Sequence, residues 1–145
     1  MSVQLTAELI EAFAGTFLSP MYDDPQPTPQ CHREWWELYC SSELFVALAA
    51  PRGHAKSTAL THDFALASAC FRVEPHILIV SATEELAMAH LGDIANELRD
   101  NEELRRAFNI NKFLVDSKSE IIVRCHSDKE YPIGYTFRIL ARGAG

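Results

Sequence analysis

Residues 44–58 read LFVALAAPRGHAKST. The first seven, Leu44 to Ala50, form a continuous apolar run. Such a run predicts a strand buried on both faces of a parallel sheet. A turn, PRGHAKS, follows, and then a helix from about Lys56 to Phe71. Strand, tight turn, Lys-Ser-Thr and helix is the context of a phosphate-binding loop, G-x-x-x-x-G-K-[ST]. Both consensus glycines are alanine here, Ala50 and Ala55, and Gly53 supplies the flexible point. In this reading Pro51, Arg52, Gly53, His54, Ala55, Lys56, Ser57 and Thr58 surround a nucleotide. Backbone N–H groups and the helix N-terminus cradle the β-phosphate. Lys56 neutralises the β- and γ-phosphate oxygens, and the Ser57 hydroxyl ligates Mg²⁺. The competing reading is a plain strand-to-helix turn. It leaves unexplained why an uncompensated lysine follows so closely on an apolar strand. Arg52 is a second cation in the loop. It is either an arginine finger acting in cis on the γ-phosphate or a solvated surface side chain.

Downstream, HILIVSA (76–82) predicts a second buried strand. TEELAMAHLGDIANELR (83–99) predicts an amphipathic helix, with Ser81 and Glu84 as its capping box. Strand, helix, strand, helix marks an α/β fold with a parallel sheet. After about Asn109 the pattern changes. Segments 112–116, 120–125 and 135–141 predict strands, with a turn at 127–134. They form a C-terminal β-hairpin or meander on or beside the main sheet. Upstream, Leu5, Leu9, Ile10, Phe13 and Phe17 recur every three or four residues, so 3–17 reads as an amphipathic helix. Four prolines at 20, 25, 27 and 29 mark a linker. Residues 30–42 predict another helix whose apolar part is Trp35, Trp36, Leu38 and Tyr39. The expected organisation is an N-terminal helix with a Pro-rich linker over 1–30, then an α/β domain over 31–145.

The chain has 145 residues and a net charge of −7. Residues 1–100 hold 5 basic and 14 acidic groups, whereas 101–145 hold 8 and 6. Acidic chains are poor general binders of nucleic acid, whose affinity comes largely from Lys and Arg. Composition close to that of globular domains excludes a collagen, a disulfide miniprotein and a disordered tail. Cys31, Cys40, Cys70 and Cys125 include no C-x-x-C pair. Cys31 and His32 with Cys40, or Cys125 with His126, match no common zinc spacing, so reduced thiols are expected. His54, His62, His76, His90 and His126 are expected in structural or solvent roles. The N-terminus lacks the basic start of a signal peptide, and no run reaches the ~20 apolar residues of a membrane span. A soluble, intracellular protein is expected.

PRGHAKST resembles the variant Walker A loop of the large terminase subunits of tailed bacteriophages, the ATPases that package DNA into procapsids. Upstream, PQCHREWWELYCSSELFVALAAPRGHAKST is similar to that family's adenine-side segment and first core strand. Downstream, ILIVSATEELAMAHLGDIANELRDNEELRRAF is similar to its next strand and helix, and also to motif Ia of superfamily 2 helicases. EIIVRCHSDKEYPIGYTFRILARGAG resembles the hairpin before Walker B. The likeness spans roughly residues 25–145. It implies an incomplete P-loop NTPase-like fold: a parallel sheet, flanking helices and a C-terminal β-hairpin. It also implies ATP and Mg²⁺ as ligands, with Lys56 and Arg52 in catalysis and Ser57 at the metal. Gln30 or His32 falls near the adenine, and Trp35 and Trp36 are core or interface residues.

The family's partners are double-stranded DNA, the portal and the small terminase subunit, in an oligomeric motor in the host cell cytoplasm, phage- or prophage-encoded. Walker B, four apolar residues and then Asp, is not matched. FLVD (113–116) has three apolar residues, with Ser117 after the acid. By the resemblance Walker B, the coupling motif and the nuclease domain follow residue 145, so this stretch alone is expected to hydrolyse ATP negligibly. The alternatives are a standalone non-catalytic interaction protein derived from such an ATPase, and a helicase-like P-loop fragment.

Overall fold

The computed structural model describes residues 4–21, 28–41 and 57–144. It is mixed α/β and falls into two compact units, residues 4–67 and 68–144. The predicted strand 44–50 and the loop 51–56 lie outside the described residues.

The first unit is helical. Helix α1 (Ala7–Phe13) starts at Thr6, whose hydroxyl accepts from the Leu9 N–H, and runs on into a π-helical turn, Ala14–Leu18. Helix α2 (Gln30–Tyr39) begins after Pro29, a residue pre-set to precede a helix but unable to continue one. The two helices are tied by a two-pronged ion pair. Arg33 donates from Nε and Nη2 to the two Glu11 carboxylate oxygens at 2.8 and 2.6 Å. Ile10, Phe13, Leu18, Trp35 and Trp36 are buried, whereas Leu38, expected in the apolar part of α2, is exposed. A π-helical stretch (Ser57–Phe64) continues as α3 (Ala65–Cys70). Trp36 reaches its first turn, donating its indole N–H to the Ala59 carbonyl at 2.9 Å.

The second unit carries a four-stranded mixed sheet in the order β1-β4-β3-β2. Its strands are β1 (His76–Ser81), β2 (Ile110–Asp116), β3 (Glu120–Cys125) and β4 (Tyr135–Gly143). β1 and β4 are parallel, and β2, β3 and β4 form an antiparallel meander. The meander, expected on or beside the main sheet, thus supplies three of the four described strands of one mixed sheet. Helix α4 (Glu84–Asp100) packs on β1 and β4. Its Ala87, Leu91, Ile94 and Leu98, spaced by three and four, are buried. So are Ile79, Ile121, Val123, Phe137, Ile139 and Ala141, which alternate along the strands and share one face by register.

Two expectations are corrected here. β1 is not buried on both faces: Leu78 and Val80 are 58% and 56% exposed. β1 is the end strand of the described sheet, and α4 covers the face that carries Ile79. The cap of α4 is Thr83, not Ser81. Ser81 is still in β1, and the Thr83 hydroxyl accepts from the Leu86 N–H at 3.1 Å.

Short helix α5 (Glu102–Ala107) follows α4 through buried Asn101, whose side chain accepts from the Leu104 N–H. Arg105 then reaches the Leu98 and Asn111 carbonyls at 2.8 and 2.7 Å. It thereby satisfies a carbonyl in the last turn of α4 that the helix leaves open. Gly143 is required by close approach. A Cβ there would lie 2.6 Å from the Glu84 nitrogen.

Candidate functional site

Of the residues expected around a nucleotide, Pro51, Arg52, Gly53, His54, Ala55 and Lys56 lie outside the described residues. Three others are described in part or in full. Ser57 is the first described residue of the helical segment that continues as α3, and Thr58 beside it is half-buried. Gln30 is exposed at the start of α2.

Helix α2 belongs to the same packed unit as the Ser57 helix, and the Trp36–Ala59 hydrogen bond joins them. Trp36 is fully buried, and His32 stacks against Trp35 and Trp36 with centroid separations of 5.2 and 6.0 Å. The tryptophans are therefore core residues of this unit, and His32 is part of their stack. One pair was not foreseen. His62 Nδ1 lies 2.9 Å from an Asp63 carboxylate oxygen, and Asp63 is buried. An aspartate beside a histidine in a helical run gives no signal of burial, because its depth depends on which elements pack over it.

In the sheet-bearing unit the carboxyl ends of the parallel strands meet. Ser81 is the register partner of Gly143, and Ala144 donates its N–H to the Ser81 carbonyl at 2.9 Å. The capped N-terminus of α4 lies against this end, in contact range of Gly143. Crevices outside the carboxyl ends of parallel strands are where open α/β sheets take ligands.

Asp116, at the end of the FLVD segment, is held by Arg99 at 2.7 Å. It sits on the outermost antiparallel strand of the described sheet. An acid so placed and so paired is a surface ion-pair partner, in keeping with the failure of that segment to meet the Walker B pattern. Asp116, Ser117 and Lys118 form one wall of an open groove of about 390 Å³, whose floor and other wall come from α4.

Among the described residues no cluster of three or more His, Cys, Asp or Glu side chains converges on a metal position. Cys31, Cys40, Cys70 and Cys125 are free thiols. Burial pushes the Cys70 and Cys125 thiols above their ordinary range and keeps them neutral. No described helix is long and apolar enough to cross a membrane. No protein-family model, curated protein or solved structure matches the chain.

Proposed function

We propose that this chain is the nucleotide-binding part of a P-loop ATPase of the terminase large-subunit type, with ATP·Mg²⁺ carried on residues 51–58. One observation carries the reading: the chain is helical from Ser57, the first described residue after the loop sequence. A helix in this place is what the loop sequence calls for, since backbone N–H groups at a helix N-terminus favour phosphate. Lys56 would hold the β- and γ-phosphates, Ser57 would give its hydroxyl to Mg²⁺, and Arg52 would sit over the γ-phosphate. Gln30 opens the helix that packs on the Ser57 helix, so it is the residue proposed for the adenine side. The parallel β1–β4 pair, with α4 following β1, is the further support from the second unit.

No residue is assigned here to water activation, so the proposal is binding without appreciable turnover. DNA, portal and small-subunit partners belong to the whole motor in this proposal.

The test is calorimetric titration of the chain with ATP·Mg²⁺ beside a Lys56→Ala variant. Native binding weakened at least about tenfold by the substitution is expected, a difference of about 1.4 kcal/mol. Equal, absent binding in both would overturn the nucleotide-binding reading.

A second reading is favoured by a separate observation. The exposed Leu78 and Val80 put apolar surface on the open face of β1, as a non-catalytic interaction protein derived from such a motor would need. A well-folded chain that ignores nucleotide would favour it.

A further inference from the structure

Helix α4 has 17 residues, and Gly92 is the middle one. Glycine weakens a helix interior because it surrenders the most backbone freedom on folding. Among the described residues nothing beyond its own helix requires it: a Cβ built at Gly92 would meet no such atom within 4 Å. Above Gly92 lies the groove of about 390 Å³, lined from α4 by Glu85, Met88, Ala89, Gly92, Asn96 and Arg99.

The charges on this face are antisymmetric about Gly92. Glu85 lies seven residues before it and Arg99 seven after. Ala89, three residues before it, keeps the centre small, whereas Ala95, three after, is buried in the chain's own core. Lys118, on the β2–β3 turn, lines the same groove as Arg99. Glu84 and Glu85 stand in the first turn of α4. One end of the face is thus acidic, and the other carries Arg99 and Lys118 with Asp116 between them and a net positive charge. Glu85 has no ion-pair partner among the described residues.

We propose that this face docks a second copy of the chain, with α4 and its equivalent packed antiparallel across a two-fold axis at Gly92. That axis overlays the two helices along their full length. It sets Glu85 of each copy against Arg99 of the other, and Met88 against Asn96. Gly92 and Ala89 let the two backbones approach at the crossing. Opposed helix dipoles add to the attraction. Arg99 serves both its own Asp116 and the second copy's Glu85, because a guanidinium offers five N–H donors. The interface is isologous, so it closes at two copies. It does not depend on nucleotide binding.

Sedimentation equilibrium of the 145-residue chain tests it. The expected result is a reversible monomer–dimer equilibrium between 16.3 kDa and twice that mass. Glu85→Arg and Arg99→Glu are each expected to be monomeric, because each sets like charges opposite one another at both ends. An equimolar mixture of the two is expected to regain the dimer, since both ends are then complementary. Gly92→Glu, whose Cβ would meet nothing beyond its own helix among the described residues, is expected to raise the dimer Kd at least about tenfold. Circular dichroism establishes that each variant is folded. If Arg99→Glu fails to fold, the Glu85→Arg and Gly92→Glu results decide the question. A wild-type chain that stays monomeric up to about 100 µM would overturn the proposal. So would a dimer indifferent to these substitutions, or a mixture of folded charge variants that stays monomeric.

Discussion

Arg72 shows how much one side chain can hold. It follows α3 directly and has φ of +60°, a left-handed conformation that a non-glycine residue adopts only under external constraint. The constraint is visible. Its guanidinium lies 4.8 Å from the Tyr131 ring centroid and 5.2 Å from that of Tyr135, and pairs with Asp128 at 2.8 Å. The Asp128 carboxylate also accepts the Tyr131 N–H at 2.7 Å. That backbone hydrogen bond, and then Arg72, hold the Asp128 carboxyl below its ordinary 3.8. A depressed carboxylate stabilises the fold above the unfolded pKa, and the contribution disappears as pH falls through the folded one. Arg72→Ala is therefore expected to destabilise the fold near neutral pH, read from urea denaturation. Urea denaturation of Asp128→Asn should show a deficit at pH 7 that shrinks as pH falls below the ordinary 3.8 and through the lower folded pKa. Nothing in the sequence marked Arg72. Its partners lie more than fifty residues away, and only the folded β3–β4 connection brings them to it.

At the scale of elements, local pattern carried far. The apolar spacing along 83–99 gave a helix found at Glu84–Asp100, and the alternation after Asn109 gave three strands found within a few residues of expectation. The cap was misplaced because Ser81 and Thr83 are both capping residues. The choice depended on where β1 released the chain, and pairing with β4 holds Ser81 in the strand. Thr83→Ala should lower stability by about 1 kcal/mol, whereas Ser81→Ala should change it by less than about 0.5 kcal/mol, both read from thermal unfolding. Trp35 and Trp36 were correctly expected as core or interface residues, because large aromatic rings bury more area than a short helix can leave exposed. Leu38 was not legible. Its exposure reflects where the neighbouring helices end, which periodicity does not record.

Across the whole molecule, the sheet has two unlike sides. The side under α4 carries Ile79, Ile121, Val123, Phe137, Ile139 and Ala141, all buried. The other carries Leu78 and Val80 in the open, alongside Arg138 in its pair with Glu120. Ile79→Ala is accordingly expected to cost about 2–4 kcal/mol. Leu78→Lys, one residue away, is expected to cost about 1 kcal/mol or less, as surface changes do. Matched denaturation curves would reveal the difference, and equal losses would mean that the second side is covered as well. A continuous apolar run such as HILIV cannot distinguish these cases, because apolar residues on an exposed face and on a buried one read alike. The candidate nucleotide site is a reading of sequence, with residues 51–56 outside the described residues. Its lysine, serine and threonine are chemical choices at a fixed spacing, and such choices survive in sequence without reference to depth.

The sequence alone determined the class of secondary structure along most of the described chain, the helical N-terminal region, the late strands and the loop chemistry that motivates an ATP test. Each rests on neighbours within about seven residues, where helix and strand periods act. Tertiary structure decided the rest. It made the sheet mixed, placed β1 at its described end, moved the cap to Thr83, buried Asp63 and gathered Arg72 with Tyr131, Tyr135 and Asp128. These depend on strand order and on which faces pack together. Both follow from hydrophobic burial summed over the whole chain, a non-directional force that no local window of sequence contains.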